Sequence, residues 1–75
     1  MREVVIHGVY RHFKGKHYFV EDVAIDSETE EEVVVYRQLY GERKLFVRPK
    51  AMFLSPIDRE KYPDAAGEFR FELIG

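Results

Sequence analysis

Cysteine is absent from the 75 residues, which excludes a disulfide framework and a thiolate zinc site as supports for a small fold. A cysteine-free chain fits a reducing setting, and a cytoplasmic location is the expectation. Tryptophan is also absent, and only three prolines interrupt the chain. No apolar run approaches the roughly 20 residues that a spanning helix needs. Residues 1–7 have none of the layout of a signal peptide, so a soluble, unprocessed protein with no membrane role is expected. Also missing are a phosphate loop, a nucleophile motif and a cluster of metal ligands, so no catalytic residue, cofactor or metal is expected. Calcium in the acidic stretch 26–32 is disfavoured, because the glycine and the flanking helices of a calcium loop are missing.

Aromatic and aliphatic residues are plentiful, with six Phe, five Tyr and 45% hydrophobic content overall. One domain over residues 1–75 is therefore expected, with a dense core, since short chains bury a smaller share of their surface. The net charge of −2 argues against a strongly electrostatic nucleic-acid binder. That average hides a segregation: residues 1–20, 21–32, 33–50 and 51–75 carry +3, −7, +4 and −2. The acidic stretch thus has basic blocks on both sides, which it is placed to neutralise by folding back.

Periodicity points to strands. Residues 1–6 read as an edge strand or a loose arm, ending at Gly8, a residue that permits an unusual backbone angle. Residues 9–13 alternate, with Val9, Arg11 and Phe13 on one side and Tyr10 and His12 on the other, before a Lys14-Gly15-Lys16 turn. From Tyr18 to Ile25 the apolar positions change parity around Glu21-Asp22, the signature of a β-bulge. Residues 26–32 read as a solvated acidic loop.

Residues 33–40 and 45–48 read as a hairpin turned at Gly41. With a tight turn, Tyr40 faces Leu45, Leu39 faces Phe46, Gln38 faces Val47 and Arg37 faces Arg48. Val34, Tyr36, Gln38, Tyr40, Leu45 and Val47 are then assigned to the core side. Pro49 ends the ladder, and KAMFL makes one helical turn that tucks Met52 and Phe53 inward. A loop follows, and Phe69, Phe71 and Leu73 alternate with Arg70, Glu72 and Ile74 in a last strand. The predicted fold is mainly all-β: a small SH3-like open barrel of five or six antiparallel strands, with a short helical turn before the last strand.

Gly8, YRHFKG at 10–15, SET at 27–29, VVYR at 34–37, LYG at 39–41, VRP at 47–49 and MF at 52–53 together resemble a family of small bacterial proteins of unknown function, domain of unknown function 1653. The likeness runs in order to about Leu54. It departs at Phe46, where the family tends to have Trp, and at Asp26, where it often has His. The resemblance implies a compact bacterial module and brings no activity with it.

The candidate site is an arginine and aromatic surface of Tyr10, Arg11, His12, Arg37, Phe46 and Arg48. Two arginines opposed on a sheet need a counter-charge, and Glu28, Glu30 and Glu31 of the acidic loop are the internal candidates. The favoured reading is a non-enzymatic binding module for a protein or an anionic ligand. One alternative is contact with a nucleic-acid backbone, since aromatics interleaved with charge also serve single strands. The other is a small hydrolase or transferase using His12. A monomer is expected, or a weak homodimer if Val33, Val35, Leu39 and Phe46 stay uncovered.

Overall fold

A computed structural model describes residues 2–75. The alternation at the start of the chain forms a hairpin of β1 (Val9–His12) and β2 (His17–Ile25) around Gly15. Strand β3 (Glu32–Gln38) pairs with β2, and the parity change has its physical counterpart there. Val20 faces Tyr36 and Asp22 faces Val35, so Glu21 is the extra residue of a bulge. The bulge lets Val20 and Val23 point to the same side although their numbers differ in parity. Strand β4 (Leu45–Pro49) follows β3, a single helical turn α1 (Lys50–Phe53) follows at once, and β5 (Phe71–Leu73) returns beside β1. The five strands form one antiparallel sheet in the order β4-β3-β2-β1-β5. The fold is mainly β with a helical turn before the last strand, as the sequence indicates. The sheet is not closed, because β4 and β5 remain its two edges.

The open sheet is nonetheless strongly curled. β3 and β5 are three strand spacings apart in the ladder order, which is about 14 Å on a flat sheet. Yet the rings of Tyr36 and Phe71 lie 5.6 Å apart. Curling gives the sheet a concave side, where Tyr10, Val20, Val34, Tyr36, Phe53 and Phe71 make the core. Phe53 comes from α1 and stacks on Phe71 at 4.2 Å and 8°. It is fully buried, whereas Met52 is 47% exposed. Met52 was expected inward. Neighbouring helical residues point about 100° apart, so a single turn presents only one of the two to the core.

The last strand is also shorter than its alternation indicates: Phe71 is buried, but Leu73 is largely exposed. Phe69 lies before the strand and forms an isolated bridge with Pro56.

The arm before β1 forms no strand over residues 2–5; Met1 lies outside the described residues. Arg2 ties the arm down, donating to the carbonyls of Leu54 (2.8 Å) and Phe71 (2.6 Å) and lying over the Phe69 ring. The left-handed residue here is His7 (φ 67°), not Gly8. Gly8 instead sits at a close approach: a Cβ there would lie 3.0 Å from the Val5 carbonyl oxygen and 2.7 Å from Leu73 Cδ1, so the Leu73 side chain would have to move.

Truncating a fully buried phenylalanine removes both its transfer free energy and its packing partners. Phe53→Ala is expected to destabilise the fold by about 3–5 kcal/mol, and Met52→Ala by under about 0.5 kcal/mol. Urea unfolding of the two variants checks the contrast.

Candidate anion-binding face

The hairpin of β3 and β4 has a different register from the predicted one. Arg37 faces Leu45, Tyr36 faces Phe46, Val35 faces Val47 and Val34 faces Arg48. The offset is three residues, so every side chain of β4 changes side. Phe46 and Arg48 therefore lie on the concave side with Tyr36, while Leu45 and Val47 lie on the convex side and are exposed. Arg37 and Arg48 are not opposed and do not share a face. The cause is the turn: residues 39–44 form a longer loop in which both Gly41 (φ 55°) and Arg43 (φ 59°) are left-handed.

Arg37 finds its counter-charge elsewhere. Its Nε donates to Glu21 at 3.0 Å, and its guanidinium also donates to the Arg43 carbonyl oxygen. The bulge residue thus supplies the carboxylate that the acidic loop was expected to provide. Glu28, Glu30 and Glu31 are exposed and form no ion pair among the described residues. The Asp26 carboxylate accepts from the N–H groups of Glu28 and Thr29, which holds that loop in a local turn.

Arg48 is in a different position. It is half-buried, its Nε donates to the Tyr36 hydroxyl at 3.2 Å, and its guanidinium carbon lies 5.8 Å from the Phe71 ring. β4 and β5 are opposite edges of the sheet, so this contact spans the mouth of the curl. Around it lies a continuous aromatic cluster, in which His12, Tyr18, Tyr40 and Phe46 are at least partly exposed and Tyr36 and Phe71 are buried. His12 meets Phe71 edge-on at 4.9 Å, Tyr18 meets Tyr36 and Tyr40 at 5.4 and 5.5 Å, and Phe46 lies 5.9 Å from Tyr36. Tyr18 and Tyr40 share a 2.6 Å hydrogen bond between hydroxyls, and burial with that bond raises the Tyr18 phenol above its usual range.

The charges that border this surface are positive. Lys16 lies over the Tyr40 ring and Lys14 over the Tyr62 ring. Burial, then the charges of Arg70, Arg48 and Lys14, hold the His12 imidazole at about 4, well below its ordinary 6.5. Neither Arg48 nor Arg70 has a carboxylate within ion-pair distance among the described residues. Arg70 Nε instead donates to the Ser55 hydroxyl at 3.3 Å. The arrangement of positive charges favours an anion.

Of the six predicted site residues, His12, Phe46 and Arg48 come together here. Tyr10 is 1% exposed and belongs to the core. Arg11 is exposed and sits opposite His17 and Glu72 in the ladders. It lines a separate cleft of about 190 Å³ together with His12, Gly67, Phe69 and Glu72. Arg37 belongs to the Glu21 pair. Among the described residues, His12 has no hydrogen bond to a carboxylate; its Nδ1 accepts from the Lys14 backbone N–H at 3.1 Å. Sequence reasoning missed Tyr18, Tyr40 and Arg70 as site residues. Tyr40 falls on the predicted core side of the hairpin, but nothing local marks Arg70, which lies 22 positions beyond Arg48.

A curled antiparallel sheet with a basic, aromatic mouth defines a small β-rich module. The chain belongs to the family described as protein of unknown function (DUF1653), whose sequence pattern matches residues 8–73. It is similar to the crystal structure of a protein belonging to that family from Bordetella bronchiseptica, with 37% identity and a TM-score of 0.74. The match covers 91% of this chain and 85% of that one. No curated protein matches the sequence. Among the described residues, no helix is long and apolar enough to cross a membrane.

The depressed His12 has a consequence for stability. Between pH 6.5 and about 4 the unfolded chain binds a proton at this site that the folded chain refuses. The contribution of His12 to stability is therefore expected to fall as the pH drops through that window and to level off below it. A histidine NMR titration should place the His12 midpoint near 4, and His12→Gln should flatten the urea midpoint across the same window.

Proposed function

We propose that this protein is a non-enzymatic binding module that holds an anionic group of its ligand on Arg48, between the aromatic side chains of Phe46, Tyr40 and His12. The observation that carries this reading is the state of Arg48. Arg37, Lys44 and Lys50 each have a carboxylate partner, whereas Arg48 is half-buried on a concave surface with, among the described residues, only a tyrosine hydroxyl as acceptor. Holding a guanidinium there costs desolvation that an incoming carboxylate or phosphate offsets with paired, charge-assisted hydrogen bonds. The aromatic neighbours offer apolar contact for whatever the anion is attached to. The absence of cysteine supports a reducing, cytoplasmic setting for such a module.

A nucleic-acid backbone offers the same anion. The acidic block 21–32 and the net charge of −2 favour a ligand with fewer charges, such as the carboxylates of a protein.

Titrating the isotope-labelled protein with inorganic phosphate and with acetate tests the reading. Saturable shifts are expected at the Arg48 side chain and at His12, Phe46 and Tyr40. Arg48→Gln should weaken binding by about tenfold or more, the worth of a hydrogen bond to a charged group. Arg37→Gln should leave it unchanged. The absence of saturable shifts at Arg48 with either anion would overturn the reading.

A further inference from the structure

Among the described residues, strand β4 has a neighbour on one side only. The Gln38 N–H donates to the Lys44 carbonyl oxygen at 3.0 Å, which places the ladder hydrogen bonds to β3 on the even-numbered residues of this hairpin. The N–H and C=O groups of Leu45 and Val47, and the C=O of Pro49, therefore point away from β3 along an open edge. The side chains around that edge are sorted by face. Lys44, Phe46 and Arg48 are in register with Gln38, Tyr36 and Val34 of the concave side. Leu45 and Val47 are on the convex side, 49% and 66% exposed, and Val47 continues an apolar row that begins at Val35.

The charge along this edge selects among possible occupants. Residues 43–50 contain four basic and no acidic side chains. Antiparallel pairing of two copies about Val47 would set basic edge against basic edge, with Lys44 opposite Lys50 of the second copy, so a homodimer is disfavoured here. Single-stranded RNA matches the charge but has no strand backbone with which to pair the outward N–H and C=O groups. An extended peptide with carboxylates on alternate residues and apolar side chains between them matches all three features: edge, charge and period of two.

We propose that the β4 edge accepts an acidic extended segment of a partner protein as a sixth strand, its carboxylates toward Arg48 and Lys44 and its apolar residues toward Leu45 and Val47. The inference rests on the anion-binding reading of Arg48 and adds the partner class and the docking mode.

The test uses the labelled full chain and a ten-residue peptide of alternating valine and glutamate, with a valine and lysine peptide of the same length as control. The acidic peptide is expected to slow amide exchange of Leu45 and Val47 at least tenfold at saturation, and the basic peptide to leave it unchanged. Val47→Pro removes an outward donor at a position where an edge strand tolerates proline. It should abolish the response to the peptide while the phosphate shift at Arg48 persists. Arg48→Gln, which leaves the backbone edge intact, should weaken peptide binding at least tenfold.

Unchanged exchange at Leu45 and Val47, with phosphate still bound at Arg48, would overturn the edge inference and leave the anion reading standing. Silence of Arg48 toward phosphate, acetate and peptide alike would overturn both. Protection of the two amides that grows with protein concentration alone, together with a dimer in sedimentation, would assign the edge to a second copy. Binding of a ten-nucleotide oligouridine at Arg48, without response to the acidic peptide, would assign the face to nucleic acid.

Discussion

The stack of Phe53 on Phe71 is the contact on which the rest of the structure depends. A five-stranded sheet of short strands has too little area to bury a core against a flat layer, and this chain has one helical turn with which to cover it. Curling solves the problem by making the sheet cover itself. Phe53 arrives from the end of β4, Phe71 from the opposite edge, and Tyr10 and Tyr36 close edge-on around Phe53 at 5.1 and 5.4 Å. The bulge at Glu21 is the local device that lets the longest strand bend while keeping its apolar side chains on the concave side. Curl, core and candidate site are one event, because drawing β4 toward β5 is also what carries Arg48 to the Phe71 ring.

Electrostatics then separates along the same geometry. The seven acidic residues of 21–32 do not fold back as a group over the basic strands. Glu21 reaches Arg37, and Glu32 with Glu3 holds Lys50 at 2.8 and 3.3 Å. These pairs lie at or near the surface, where solvent and salt screen the attraction. Their consequence lies in what remains: among the described residues, Arg48 and Arg70 are left without a paired carboxylate. A basic, aromatic concavity thus survives in a protein whose net charge is negative.

The strands were legible in the sequence because period-two alternation and parity reflect one-sided burial, which acts locally. Residues 9–12 and 17–25 and the bulge follow from that rule. Register across the β3–β4 turn does not, since it depends on loop conformation. Gly41 signals a turn, but nothing in the chemistry of Arg43 marks a second left-handed residue, and that residue lengthens the loop. The three-residue offset turned a predicted pair of opposed arginines into two arginines on different faces. The same offset brought Phe46 to the concave side, so the candidate site was half legible: its residue types were right, and their assembly was set by the turn. Tyr18 joins it through the β2–β3 ladder and Arg70 through its place beside Phe13, pairings between distant segments that no local period reports.

The basic character of β4 also accounts for how so exposed an edge persists. An open strand with outward apolar side chains is a template for self-association, and lysine and arginine along it are a recurrent safeguard. Here Lys44, Arg48 and Lys50 flank Leu45, Phe46 and Val47, so two identical edges repel while their backbone groups stay unpaired. Pro49 limits the edge further by withholding an N–H at its end. A safeguard made of charge, unlike a bulge or a covering helix, leaves the backbone free and discriminates by sign. The same side chains that oppose pairing between two copies are therefore the ones that complement an acidic strand in charge, so both preferences have one physical cause.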